Sequence, residues 1–198
     1  MDSRKIINLP NTLTILRICL TPLFLTLLFA ETWYYKSMAF AVFGAASLTD
    51  FYDGRLARSA NQVTALGRFL DPLADKILVT SALIALVFGR MVNFWLVVPI
   101  VCRDVLITCL RLYDLYHGRQ MMTSRLAKWK TTVQLFTVVF ILFIMSLQEF
   151  LNRFNQNGAM LLDGGQFQVL ANALMTGVLL LTLLSGFNYL RKRQFFLR

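Results

Sequence analysis

Six apolar stretches, each about 20 residues long, constrain this chain more than any other feature of its sequence. They run over about 11–30, 34–53, 69–89, 93–113, 131–151 and 167–189. A bilayer core is crossed by a helix of about 20 predominantly apolar residues. The chain has 198 residues and is 57% hydrophobic, with a mean hydropathy of +0.61, well above an ordinary soluble domain. Little sequence is left over between the stretches. The pattern therefore predicts an all-α integral membrane protein: one membrane domain over residues 1–198, with six transmembrane helices and short loops. It shows no separate soluble domain, low-complexity linker or internal repeat. The first stretch holds Arg17 and Pro22, and no small-x-small cleavage pattern follows it, so it predicts a retained helix and not a removed signal peptide. The preceding MDSRKIINLPN reads as a short interfacial helix, with Arg4 and Lys5 at the headgroups and Ile6 and Ile7 dipping inward, or as a frayed tail.

A formal net charge of +10 first suggests a nucleic-acid partner, but its distribution points elsewhere. With a cytoplasmic N-terminus, six spans return the C-terminus to the same side. The outer loops then hold Lys36, Arg90 and Arg153, leaving 17 of the 20 basic residues on or near the cytoplasmic side. This is the positive-inside asymmetry, so much of the basicity is topological, and for any single arginine orientation alone is a sufficient explanation. The expected location is the cell (inner) membrane, multi-pass, with both termini cytoplasmic. Trp33, Tyr34, Tyr35 and Trp95 fall where an outer aromatic belt belongs, NQNGAMLLDGGQ at 155–166 reads as an outer loop, and the terminal RKRQFFLR reads as a basic tail near anionic lipid. Cys19, Cys102 and Cys109 lie within apolar stretches without CxxC spacing. They are expected to be small packing residues and not a disulfide framework or zinc site.

Against this apolar background, residues 50–75 carry four aspartates: Asp50, Asp53, Asp71 and Asp75. On insertion scales four buried, unpaired aspartates at mid-membrane cost ~10–14 kcal/mol, comparable with a whole folding free energy. An interfacial position, a wet cavity or bound cations relieve that cost. The spacing favours cations. Asp50 and Asp53 (i, i+3) share a helical face that Gly54 and Ala57 continue. Asp71 and Asp75 (i, i+4) share a face on the next helix, extended by Gly67. The polar segment between them can turn at the cytoplasmic surface and set the two stripes face to face. Converging carboxylates suit one or two hard divalent cations, Mg²⁺ or Mn²⁺. Zn²⁺ fits poorly where no His or Cys is near. The glycines let a bulky ligand approach the backbone, and Arg55, Arg58 and Arg68 flank the acids as a pyrophosphate ligand requires.

The pattern D-x2-D-G-x2-A-R-x8-G-x3-D-x3-D, formed here by Asp50, Asp53, Gly54, Ala57, Arg58, Gly67, Asp71 and Asp75, resembles the signature of the CDP-alcohol phosphatidyltransferases. Further segments resemble the branch of that family that makes phosphatidylglycerol phosphate: INLPNTLTILRICLTP near the start, TDFYDGRLAR, LDPLADKILV, Arg103–Asp104, Leu110–Arg111 and AKWKTTVQ at 127–134. About two thirds of the chain is covered. One departure is Ala127-Lys128, where Gly-Lys is expected; Ala is still small. The last two stretches, from about 135 onward, contribute little beyond hydrophobicity.

The resemblance implies a six-helix membrane enzyme, usually dimeric, with a polar active-site cavity facing the cytoplasm. It implies transfer of a phosphatidyl group from CDP-diacylglycerol to glycerol 3-phosphate with release of CMP, dependent on Mg²⁺ or Mn²⁺, two ions being expected. Asp50, Asp53 and Asp71 are then metal ligands. Asp75, one turn deeper than Asp71, is the catalytic base and a further metal contact. Gly54, Ala57 and Gly67 make room for the cytidine, and Arg58 contacts its diphosphate. Thr49 either positions the nucleotide or packs between helices.

A phosphorylated acceptor needs cations of its own. Arg103 and Arg111 (i, i+8) lie nearly on one helical face, and Arg103 sits deep in its span, at a cost that Asp104 or a bound anion must offset. Lys128 and Lys130 complete the expected phosphate pocket, with ordinary cytoplasmic anchoring as their alternative; Arg125 shares a face with Lys128. His117, the only histidine, and Arg119 read as solvated loop residues, and Gln134 as a hydrogen-bonding link between helices. The same chemistry with serine, inositol phosphate or a phospholipid as acceptor is the nearest alternative. A divalent-cation transporter is a remote one, because the arginines flanking the acids would repel its cargo.

Overall fold

The computed structural model describes residues 9–60, 65–117, 125–154 and 162–196; side chains are described for 15–49, 73–74, 76–110, 112–114, 116–117, 126–154 and 162–191. Six helices account for nearly all of them: α1 (Leu9–Phe29), α2 (Trp33–Ala60), α3 (Ala65–Phe88), α4 (Phe94–Tyr116), α5 (Arg125–Phe154) and α6 (Gly164–Phe196). There is no strand among the described residues, so the all-α expectation holds. The N-terminal segment with Arg4 and Lys5, Arg119, most of the 155–166 loop and the end of the basic tail lie outside the described residues.

Two helices are long and apolar enough to cross a bilayer, over Leu126–Phe154 and Gly164–Arg191, and only 39% and 28% of their apolar windows are buried within the protein. A soluble core helix would bury most of such a window. Large apolar side chains instead line the outside, among them Phe136, Val169, Leu180, Leu184 and Phe187, as a hydrocarbon solvent allows and water does not.

Local chemistry sets the helix ends. Thr32, Asn93 and Asp163 sit just before α2, α4 and α6. Asn93 Oδ1 accepts from Trp95 N at 3.0 Å, capping α4. Gln166 Oε1 reaches back to Asp163 N at 3.2 Å, the reciprocal half of a capping box. α3 closes with Arg90 N donating to Val87 O at 2.9 Å and Met91 N to Leu86 O at 3.0 Å, a Schellman arrangement. Arg90 occupies its left-handed position at φ 56°.

The described residues form two compact units. The first comprises α1, α2, α3 to Ala85 and α5 from Leu142. Here α1 packs on α2 through Phe24 and Phe43, whose rings lie 5.2 Å apart. The C-terminal part of α5 joins α2 through Ser146 and Ser37 (2.8 Å), a Lys36–Glu149 ion pair, and Trp33 against Phe150 and Phe154. Arg17, a cation in an apolar helix, is buried in this unit.

The second unit comprises α4, α6 and α5 to Ile141, with α4 packed on α6. The buried positions of α6 include Phe167, Ala171, Met175, Val178, Thr182, Ser185 and Tyr189, and those of α4 are Val97, Ile100, Asp104, Ile107 and Asp114. Both follow the three-four spacing of a helix seam. Cys102 and Cys109 fall off the α4 seam and are exposed, as is Cys19. The expectation that the cysteines pack inside is therefore corrected. A small apolar thiol gains nothing by burial when the outer face is itself apolar.

Candidate active site

The four aspartates all lie on helical backbone: Asp50 and Asp53 on α2, Asp71 and Asp75 on α3. α2 does not stop at about residue 53, as the apolar stretch suggested, but continues to Ala60. The i, i+3 spacing of Asp50 and Asp53 therefore acts as helical spacing, with Gly54, Ala57 and Arg58 on the same unbroken helix, and Gly67 lies on α3 one turn before Asp71. Both acid pairs belong to the first unit. The side chains of these residues, and those of Arg55 and Arg68, are outside the described set. No group of three or more metal-ligating side chains occurs among the described residues. The donor set itself is carboxylate-only on two helical segments, and that chemistry fits a hard divalent cation. Thr49, one residue before the first acid, donates its hydroxyl to Ala45 O at 2.6 Å, which leaves its oxygen lone pairs available.

The cations expected to hold an acceptor's phosphate lie in the second unit, and the structure sorts them. Arg103 and Lys130 come together on one carboxylate. Asp104 Oδ1 accepts from Arg103 Nη1 at 3.1 Å and from Lys130 Nζ. Lys130 also donates to Gln134 Oε1 at 2.5 Å. Asp104, Lys130 and Gln134 are buried. An ammonium group with no water contact is held by these fixed acceptors in place of its hydration shell. Two cations thus share one carboxylate oxygen.

Lys128 stands two residues from Lys130, on another side of α5, and is exposed. Arg111 lies on α4, between Ile107 and Asp114 in the helical backbone; its side chain is outside the described set. His117 is exposed at the end of α4, where Nδ1 donates to Tyr113 O at 2.9 Å, in keeping with a solvated residue. Among the described residues Gln134 makes its hydrogen bond within α5, to Lys130 one turn back, and not to another helix.

Three participants escape a reading by charge and motif. Ser185 Oγ accepts from Arg103 Nη2 at 2.8 Å. Gly186, its neighbour, has no side chain to cover the arginine stem; a Cβ there would stand 3.5 Å from Arg103 Cγ and Nε. Asp114 is a second buried acid on the α4 seam. The available signal was the small and polar residues Thr182, Ser185 and Gly186 at helical spacing in an otherwise Leu-rich run, a pattern that marks helix–helix contact in membranes. The expectation that the last stretch offers only hydrophobicity is corrected accordingly.

The sequence profile described as CDP-alcohol phosphatidyltransferase matches residues 7–184. The "Probable phosphatidylglycerophosphate synthase" of Mycobacterium tuberculosis is 35% identical over 191 residues, covering 95% of this chain and 82% of that protein. Two proteins named "CDP-diacylglycerol--glycerol-3-phosphate 3-phosphatidyltransferase" are also similar. That of Bacillus subtilis is 40% identical over 143 residues, 66% of this chain and 74% of its own. That of Pseudomonas fluorescens is 39% identical over 142 residues, 68% and 72%.

Proposed function

Because this chain belongs to the CDP-alcohol phosphatidyltransferase family, we propose that it transfers the phosphatidyl group of CDP-diacylglycerol to glycerol 3-phosphate, giving phosphatidylglycerol phosphate and CMP. The names of its relatives support this choice of substrates. The observation that supports the phosphorylated acceptor is the meeting of two cations, Arg103 and Lys130, on the one carboxylate of Asp104. Family membership in an enzyme class displaces the transporter alternative.

In this reading Asp50, Asp53, Asp71 and Asp75 hold divalent cation, Mg²⁺ or Mn²⁺, as a pair of ions. When bound, the metal neutralises the diphosphate oxygens and stabilises the departing CMP. Arg58 adds a guanidinium fork to the diphosphate, while Gly54, Ala57 and Gly67 leave space for the cytidine and Thr49 steadies it. Arg103, Arg111, Lys128 and Lys130 form the acceptor's phosphate site. Asp75 takes the proton of the acceptor hydroxyl as its oxygen attacks the β-phosphorus. The new P–O bond forms as the bond from that phosphorus to the oxygen of CMP breaks. The chain acts as one membrane domain over residues 1–198, crossing the cell membrane six times, with both termini and the active-site cavity cytoplasmic, and working as a homodimer.

The test is direct. Detergent-solubilised protein is given labelled CDP-diacylglycerol, a panel of acceptors and either Mg²⁺, Mn²⁺ or a chelator. CMP release is expected with glycerol 3-phosphate and either metal, and none with the chelator. A higher kcat/KM with serine, inositol phosphate or a phospholipid overturns the acceptor assignment, and full activity in the chelator overturns the metal.

A further inference from the structure

Arg103 is anchored from two directions. A guanidinium has five N–H donors. One, on Nη1, goes to Asp104 Oδ1, and one, on Nη2, goes to Ser185 Oγ. Three donors remain. One of them, on Nε, is buried and makes no hydrogen bond among the described residues. A buried donor left without an acceptor costs about 1–3 kcal/mol, and on a charged group that cost favours an anionic ligand at that edge.

Ser185 is built to accept. It is buried on the inner seam of α6. Its single hydroxyl hydrogen is donated to Thr182 O at 3.0 Å, and Thr182 in turn donates to Val178 O at 2.6 Å. With that hydrogen committed to the helix backbone, the Oγ lone pairs point away from it, towards Arg103. Gly186 follows immediately and, having no side chain, lets the backbone of α6 come close to the stem of the arginine. The two residues thus perform different tasks in one turn of α6.

We propose that Ser185 is a positioning residue for the acceptor's phosphate: with Asp104 it pins two donors of the Arg103 guanidinium, so that Nε and the remaining N–H groups are presented to the oxygens of a phosphomonoester dianion. This rests on the assignment of Arg103 to the acceptor site made above. Ser185 does not touch substrate; it acts through Arg103.

The experiment uses the full chain in detergent and measures initial rates against glycerol 3-phosphate and against CDP-diacylglycerol. Five proteins are compared: wild type, Ser185→Ala, Ser185→Thr, Arg103→Lys and the Ser185→Ala/Arg103→Lys double variant. Loss of one hydrogen bond to a charged group is expected to raise the KM for glycerol 3-phosphate about five- to twentyfold in Ser185→Ala. The KM for CDP-diacylglycerol should stay within about twofold, and Ser185→Thr, which keeps the oxygen, should recover most of the loss. In the Arg103→Lys background the alanine change should add less than about twofold, because the fork it positions is gone.

If Arg103→Lys raises the acceptor KM and Ser185→Ala leaves it unchanged, the positioning role is overturned while the acceptor site stands. If neither variant moves it, the role falls together with the assignment of Arg103. A parallel rise in both KM values, or a fall in kcat alone with the melting temperature, marks a merely structural serine and overturns the proposal. If wild-type protein turns over with serine or another acceptor that carries no phosphomonoester and not with glycerol 3-phosphate, the substrate reading fails first, and Ser185 fails with it as a phosphate-positioning residue.

Discussion

Replacing Asp104 with asparagine isolates the electrostatics of the second unit. The carboxylate is 3% exposed and the Lys130 side chain 0%, and Arg103 Nη1 lies 3.1 Å from Asp104 Oδ1. At that separation, with an effective dielectric constant of about 20, the attraction of one pair is about 5 kcal/mol. Desolvation of the three charges cancels much of this, which is why an apolar replacement of a whole buried cluster is often neutral. One-sided removal is different. It removes the carboxylate that both Arg103 and Lys130 contact, at a cost of about 3–5 kcal/mol. For a chain of this length each kcal/mol moves the melting temperature by about 2–4 °C, so Asp104→Asn should melt about 6–20 °C below wild type. The assay is thermal unfolding in a single detergent, followed by tryptophan fluorescence. The second arm is Asp104→Asn with Lys130→Met, which removes one of the two cations that met on the carboxylate and should recover at least about 1 kcal/mol, or about 2–4 °C. An Asp104→Asn protein that melts within about 2 °C of wild type refutes the reasoning. So does a double variant whose losses simply add, because the two residues would then not share one electrostatic account.

Two further outcomes are expected. Asp75→Asn should bind CDP-diacylglycerol within about threefold of wild type and lose at least about 100-fold in CMP release in a single-turnover measurement, since a general base contributes on the order of 10²–10⁴; near-normal turnover removes Asp75 from that role. Arg90→Gly should stabilise the protein by about 0.5–1 kcal/mol, because a side chain at φ 56° carries a left-handed penalty that glycine avoids, offset in part by glycine's freer unfolded chain; a melting temperature lower than wild type shows that Arg90 makes a compensating contact.

The sequence reveals elements whose cause is local and hides those whose cause is a neighbour. Six helices stand on the six apolar runs, and two of them are long and apolar enough to cross a bilayer. The acidic motif of α2 and α3 was legible for a different reason: charge in an apolar segment is costly, so each aspartate stands out against its background. Helix limits were less legible. α2 extends to Ala60 and α5 starts at Arg125, both past the apolar runs, since a polar turn continues a helix wherever its backbone bonds and side chains permit. The outward placement of Cys19, Cys102 and Cys109 was hidden because inner and outer faces are equally apolar.

That same equality explains why α6 was read as featureless. In water an inward face announces itself by hydrophobicity. In lipid the contrast inverts, and the inward face is the one with the smaller or more polar residues. On α6 the buried seam holds Ala171, Thr182 and Ser185, while Leu180, Leu183, Leu184 and Phe187 face outward. Arg103 required such a seam. An arginine in the middle of an apolar helix must find acceptors within reach of its own stem, and a neighbouring carboxylate on the same helix supplies only one direction. The second direction has to come from another helix at a position small enough to admit the guanidinium, which is where Ser185 and Gly186 stand. A cation deep in a membrane sequence is therefore a reason to search distant apolar runs for a small polar pair, and here that search leads to the last helix of the chain.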